Sequence, residues 1–525
     1  MGIYNLTKNS FNYFIIFYII LISFLSLNVG ITHDEVHNLE VWKIKSKIYS
    51  NFLFNTDYEV VFPDAGMQYY GIGFHIFSYP FELFFRNILV FFDYSDDAIL
   101  LISKHPSIVI IFAISGVFFR NIIFLITKNK FYSNITAVFY LVYPYILGHS
   151  FFNFKDIPFM SLWVICTYLF MVISKKLYNK EKIYFLELST FAFLTAFLLS
   201  VRVSGILILV EYFIFIIFVI HFSKIEIINF IKSISNKLLI FLSIFVMSFY
   251  LLHPSFWSDP SSLLEAFKYM SKHIQTVCTI TFGTCMKAQN LPSSYIPLWL
   301  LIKLPILTLL SFLLFPIVEK KIFSKNLNTI FIGPLILTPF LIVLLLIIFN
   351  VNLYDELRQI LFIVPLILLA SFSVLFFFSK KISQYLIIFY IFFFSIQNIQ
   401  IFPYNYLWLN NFSFFTKVSN NFELDYWGSS TKNLSYYFKY NLHNKDECII
   451  SNRNHGIKTL LNKENVCFIN FRDLHKKNNR PFYIALTERA LKKGIPNNCE
   501  NIFNEYFTMN FSREKIVVAK IYRCT

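Results

Sequence analysis

The sequence predicts an all-α polytopic membrane protein with about eleven transmembrane helices and a small C-terminal α/β domain outside the cytoplasm. Three observations predict it. Of 525 residues, 56% are hydrophobic and 14% charged, and mean hydropathy is +0.58; a soluble domain has no interior large enough to hide so much apolar side chain. The apolar residues fall into runs long enough to cross a bilayer. After about residue 402 the pattern changes to short strand-like runs in polar surroundings.

A span needs roughly 17–25 apolar residues. Such runs lie at 11–29, 106–127, 133–150, 157–173, 184–200, 204–222, 237–253, 295–317, 328–350, 359–378 and 384–401. No small-x-small cleavage site follows the first, so it reads as a span and not a removable signal. The stretch 67–92 is apolar as well, but Pro80, Glu82 and Arg86 interrupt it. It reads as helices lying along the interface, within an outer loop 30–105.

Lys and Arg concentrate in the connections 128–130, 175–182, 224–237, 319–325 and 380–381. With eleven spans these fall on one side, which the positive-inside rule makes cytoplasmic. The connections 151–156, 201–203, 254–294 and 351–358 then face outward with the tail. Topology thus accounts for the net charge of +16, and no nucleic-acid partner is needed to explain it. Residues 1–401 form the expected transmembrane domain and 402–525 the outer one, with strand-like runs at 448–450, 466–469, 482–486 and 516–521 and a helix near 429–440.

Seven cysteines fit this division. Cys166 lies in a span, and the other six fall on the outer, oxidising side. Cys278 and Cys285 share one loop and read as a disulfide. Cys448, Cys467, Cys499 and Cys524 allow three pairings, and their spacings match no common zinc pattern.

Charges at a bilayer are costly unless they are solvated or functional, which singles out three groups. His33-Asp34-Glu35 follows the first span; two adjacent acids there suit a general base or a divalent ion, and equally a solvated helix end. The short loop Asn153-Phe154-Lys155-Asp156-Ile157-Pro158 holds a cation and an acid, and Asp156 also fits a helix start with Pro158 in its first turn. Arg202 and Arg358 stand at outer span ends, where a compensating anion is expected. A phosphate suits the forked guanidinium; Asp355 or Glu356 is the local alternative. Together the groups describe a lipid phosphate held by cations beside a carboxylate that deprotonates an attacking hydroxyl.

The chain resembles the GT-C glycosyltransferases, in the bacterial branch related to protein O-mannosyltransferases and lipid A aminoarabinose transferases. The resemblance covers most of the sequence. His33-Asp34-Glu35 matches that family's first-loop Asp-Glu. The run Pro144-Tyr145 through His149-Ser150-Phe151-Phe152-Asn153-Phe154-Lys155-Asp156-Ile157-Pro158-Phe159 matches the second acidic loop, with Phe154 where many relatives have Pro. His253-Pro254 through Trp257, Leu291-Pro292 with Tyr295, Leu357-Arg358-Gln359 and Asp425-Tyr426-Trp427-Gly428 also look like bacterial relatives.

The resemblance implies a GT-C type fold in the bacterial inner membrane. It implies a polyprenyl-phosphate sugar donor and inverting transfer, outside the cytoplasm, to a hydroxyl of a glycan, lipid or protein. Asp34 is then the base with Glu35 beside it, and Asp156 assists at the acceptor. Lys155, Arg202 and Arg358 face the donor phosphate, and Asp34 and Asp156 would hold a divalent cation where a relative uses one. Two other readings compete. A lipid-linked glycan transporter or flippase would place polar groups in mid-membrane within paired repeats, whereas most charges of this chain lie at outer span ends, Glu211 being an exception, and no repeat is apparent. A polysaccharide ligase would share the cationic cleft without needing the acidic pair.

Overall fold

The computed structural model describes residues 2–64, 66–92, 94–257, 259–272, 277–415, 417–442, 447–461, 466–471, 481–487, 495–509 and 514–524. Among these, eleven spans are not what the chain builds. Six helices are long and apolar enough to cross a membrane: Asp96–Thr127, Asp156–Tyr178, Val203–Ser223, Ile227–Leu252, Asn326–Ile348 and Ile363–Ile401. A seventh span results if Tyr295–Lys303 and Ile306–Ile322, bent by 109° relative to each other, are counted as one.

The difference has a physical reason in length and in proline. The run 133–150 becomes two helices, Lys130–Val142 and Pro144–Ser150. Pro144 disfavours the helical conformation at Tyr143, which is extended at ψ 115°. Thirteen residues rise only about 20 Å, against a hydrocarbon core of about 30 Å. Pro305 acts in the same way on Leu304, at ψ 143°, and produces the 109° bend. Phe185–Val201 is too short to count, and only the part Ser10–Ser26 of the first helix, Gly2–Ser26, is among the shorter apolar segments. The runs 359–378 and 384–401 fall largely in the stretch Ile363–Ile401, counted as one candidate span, and a kink at Ser379 (φ -159°, ψ 107°) separates its two helices. The chain is therefore a multi-pass, largely helical membrane protein, with six or seven candidate spans among the described residues.

Asp156–Tyr178 is the central helix, buried along most of its length and packed on His105–Thr127, Phe185–Val201 and Ile208–Ser223. Ile227–Leu252 is the outermost, with Phe230 its one buried residue. The stretch 67–92 forms a 3₁₀ turn, Met67–Tyr69, and the helix Gly73–Leu89. Buried Glu82 there is paired with Arg86 and lies 3.5 Å from Lys104.

The segment Tyr70-Gly71-Ile72-Gly73 passes the end of Phe185–Val201 at close range. A Cβ on Gly71 would stand 2.2 Å from the Ser200 carbonyl oxygen and 2.6 Å from that of Val201. Gly71→Ala must push the two backbones apart. The expected cost is about 1–3 kcal/mol, read as a lower thermal-unfolding midpoint; an unchanged midpoint would contradict this close approach.

Two antiparallel strands, β1 (Cys278–Thr281) and β2 (Thr284–Lys287), form a hairpin turning at Phe282-Gly283, both at positive φ. The Cys278 and Cys285 sulfurs are bonded. In the tail, β3 (Cys448–Ser451), β4 (Phe468–Asn470), β5 (Phe482–Thr487), β6 (Cys499–Thr508) and β7 (Lys515–Cys524) form one sheet in the order β4-β3-β5-β7-β6. β3 runs parallel to β4 and β5, and the β5–β7 and β7–β6 pairs are antiparallel. Helices Thr431–Asn441 and Asn454–Leu461 accompany the sheet. Of the three possible pairings, the structure holds Cys448–Cys467 and Cys499–Cys524, the latter bridging directly opposed positions of β6 and β7.

Candidate active site

Helix His33–Phe54 starts at Thr32, whose backbone N–H donates to Glu35 Oε2 at 2.6 Å. The other Glu35 oxygen lies 2.6 Å from Nε2 of buried His105. Glu35 is thus turned into the protein and holds the helix start in place. Asp34, one residue earlier, faces the other way, into a cavity of about 870 Å³.

Asp34, Lys155, Asp156, Arg202 and Arg358 all line that cavity, and Glu35 does not. Lys268 and Lys272 add to its wall, so five cations meet two carboxylates. Apolar side chains complete the lining: Leu264, Phe267 and Met270 from helix Ser262–Ser271, which also carries Lys268, and Leu345, Leu346 and Phe349 at the end of Asn326–Ile348.

Arg358 is the hub. One guanidinium nitrogen, Nη1, lies 3.1 Å from Asp34 Oδ2 and 4.0 Å from Asp156 Oδ2, and Nη2 lies 3.0 Å from Asp355 Oδ2. The guanidinium carbon sits 4.4 Å from the centre of the Trp427 ring and 5.0 Å from that of Tyr354. Such contact with an aromatic face adds attraction and fixes orientation. The loop that carries Arg358 is anchored to the disulfide hairpin, where the Asp355 N–H donates to Thr279 Oγ1 at 2.9 Å.

Asp156 begins the central helix with both oxygens engaged. Arg202 donates to Oδ1, Asn153 Nδ2 donates to Oδ2 at 2.9 Å, and the Asp156 N–H returns to Asn153 Oδ1 at 2.9 Å. Lys155 has no carboxylate within 4 Å among the described residues. Its ammonium lies 3.7 Å from the Tyr70 ring centre. Tyr70 is held from behind by buried Lys45, which donates to the Gln68 and Tyr70 carbonyls at 2.9 and 2.5 Å.

Electrostatics follow from this packing. Burial would raise the Asp34 carboxyl, but Arg358 and Lys155 outweigh it and hold it down at about 2. Burial pushes the Lys155 ammonium down to about 7, despite the pull of Asp34. Glu356, near Arg358 in sequence, points away from the cavity and lies 2.6 Å from Lys303; burial pushes its carboxyl up to about 7.

Trp427, Tyr354, Tyr70 and Lys45 are not among the site residues that the sequence singles out. Trp427 carries a signal, since it lies in the Asp425-Tyr426-Trp427-Gly428 string that resembles relatives. The Trp427 carbonyl also accepts the His33 N–H at 3.4 Å, which ties the tail to the turn that presents Asp34. Tyr70 and Lys45 carry no comparable signal.

A resident divalent ion fits these residues poorly. Asp34 and Asp156 each already face an arginine, and no three His, Cys, Asp or Glu side chains converge to hold an ion among the described residues.

No protein-family model matches the chain, and no curated protein matches it. Among solved structures it is similar to ArnT from Cupriavidus metallidurans bound to undecaprenyl phosphate, at 10% identity and a TM-score of 0.48, covering 98% of this chain and 98% of that one. It is also similar to ArnT from the same organism in the apo state, at 10% identity and a TM-score of 0.43, covering 93% of this chain and 98% of that one.

Proposed function

We propose that this chain transfers a sugar from a polyprenyl-phosphate donor to an acceptor hydroxyl at the non-cytoplasmic face of the membrane. The observation that carries the reading is the mixed lining of the cavity, which combines five cations with apolar side chains from two helices. That combination matches a ligand with a phosphate head and a hydrocarbon tail. The six paired cysteines favour an oxidising compartment for this side, and the bacterial inner membrane is the setting that suits them.

In the reaction, the acceptor oxygen attacks the anomeric carbon from the face opposite the phosphate and inverts it. The hydroxyl proton passes to the Asp34 carboxylate. The bond from the anomeric carbon to the phosphate oxygen breaks, and its electron pair leaves on the phosphate. Lys155, Arg202 and Arg358 meet the charge that develops there. Asp156, with both oxygens engaged, positions Arg202. Residues 402–525 serve as an outer domain that supplies Trp427 to the site.

Lys155 makes the reading testable by pH. Its ammonium binds phosphate only when protonated, and its pKa of about 7 lies far below the usual lysine value. Affinity for polyprenyl phosphate should therefore weaken as pH rises from about 7.5 to about 9.5, by about tenfold. Lys155→Arg should keep it flat over the same range. Titration of the full chain in nanodiscs with polyprenyl phosphate, against polyprenol as control, measures both. Equal affinity for the phosphate and the alcohol would contradict the proposed donor site.

A further inference from the structure

We infer that the donor phosphate and Asp34 compete for the same Arg358 nitrogen, so that donor binding itself releases the Asp34 carboxylate for its work as a base. The inference rests on the proposed donor reading and adds a coupling within that site.

The geometry of Arg358 leads to it. Nη1 is engaged by Asp34 and Nη2 by Asp355, so both terminal nitrogens already face a carboxylate. The Arg358 Nε is buried, so a phosphate in the cavity meets the arginine at Nη1 or Nη2, where it crowds the carboxylate already there. Asp355 is enclosed, its side chain 6% exposed, and its backbone is tied to Thr279. The guanidinium cannot swing away easily, because it lies on Trp427, itself 4% exposed. Asp34 is the accessible partner: its side chain is 35% exposed and it lines the cavity. Its backbone is fixed by Asn38, which donates to the Asp34 carbonyl at 2.6 Å, so yielding is a side-chain rotation at the first turn of the helix.

The chemistry makes the exchange useful. While Arg358 holds it, the Asp34 carboxylate is a poor base, since the cation stabilises the charged form. A phosphate on Arg358 removes that stabilisation and adds a nearby negative charge, and both raise the affinity of Asp34 for a proton. The base is then strong only when the leaving group is in place, which suppresses proton uptake by an empty site. His33, His37 and Lys155 also bear on Asp34, and none of them bridges it to Arg358.

The test is binding, not turnover. If Asp34 competes with phosphate, removing its charge frees Arg358, and Asp34→Asn should bind polyprenyl phosphate about tenfold more tightly than wild type in nanodiscs. Asp34→Ala should do the same, so the effect does not depend on the asparagine amide. A thermal melt confirms that both variants fold. Unchanged or weaker binding in the two folded variants would overturn the competition while leaving the donor reading intact. Absence of phosphate binding by the wild type would overturn the donor reading and this inference together.

Discussion

Replacing Asp34 by Asn is expected to lower sugar transfer by at least about 100-fold without unfolding the protein. The size follows from what a positioned general base contributes, about 10²–10⁴-fold. Asn keeps the length and one acceptor oxygen of Asp. Arg358 retains Asp355 at 3.0 Å, so the change leaves no buried arginine without a carboxylate. Glu35, which secures the helix start and His105, is untouched. The measurement compares initial rates of transfer and unfolding midpoints for the two proteins. Transfer at the wild-type rate would remove Asp34 from the role of base. The contrast with Glu35 is informative: Glu35→Gln should act mainly on stability, because its carboxylate faces His105 and the Thr32 N–H.

Replacing Arg358 by Ala is expected to be harsher, because one guanidinium serves four neighbours. It balances Asp34 and Asp355, stands 4.0 Å from Asp156, and stacks on Trp427. Removing one partner of a buried ion pair costs about 3–5 kcal/mol, so the unfolding midpoint should fall together with donor affinity. Affinity for polyprenyl phosphate should drop by at least about 100-fold. Arg358→Lys should recover little of it, since a single ammonium cannot fork between Asp34 and Asp355 as a planar guanidinium does. Acceptor affinity separates the two functions of this residue. If KM for donor and acceptor rise equally, Arg358 acts as a structural ion pair alone; a rise confined to the donor places it at the phosphate.

The charges of this site are legible in the sequence because cations and acids at the ends of apolar runs are rare and stand out. Asp34, Lys155, Asp156, Arg202 and Arg358 are noticed on those grounds, and they do line one cavity. Glu35 is noticed with them because it adjoins Asp34, but successive residues on a helix point about 100° apart, and adjacency there separates side chains. The aromatic floor is less legible. In a chain with 67 Phe and 32 Tyr, no single ring such as Tyr70 or Tyr354 can be distinguished by composition.

The span count misleads for a different reason. Hydropathy registers how apolar a run is and does not register where the backbone breaks. Pro144 and Pro305 break two runs that hydropathy reads as continuous. In the tail, β3, β4, β5 and β7 carry apolar runs and can be read. β6, Cys499–Thr508, alternates polar residues along an edge of the sheet and leaves no such trace. Loss of the eleven-span count also removes parity, and with it the one-sided placement of the basic loops, as an argument for sidedness, which rests instead on the disulfides.

The central claim is transfer from a lipid phosphate. The most direct measurement incubates the full chain, reconstituted in vesicles, with polyprenyl-phosphate sugars labelled in the sugar and a panel of glycan, lipid and peptide acceptors. Label should move to an acceptor as free polyprenyl phosphate appears in equal amount, with the anomeric configuration inverted, and Asp34→Asn should abolish both. Release of polyprenyl phosphate at the same rate from wild type and Asp34→Asn, or transfer with retained configuration, would contradict it.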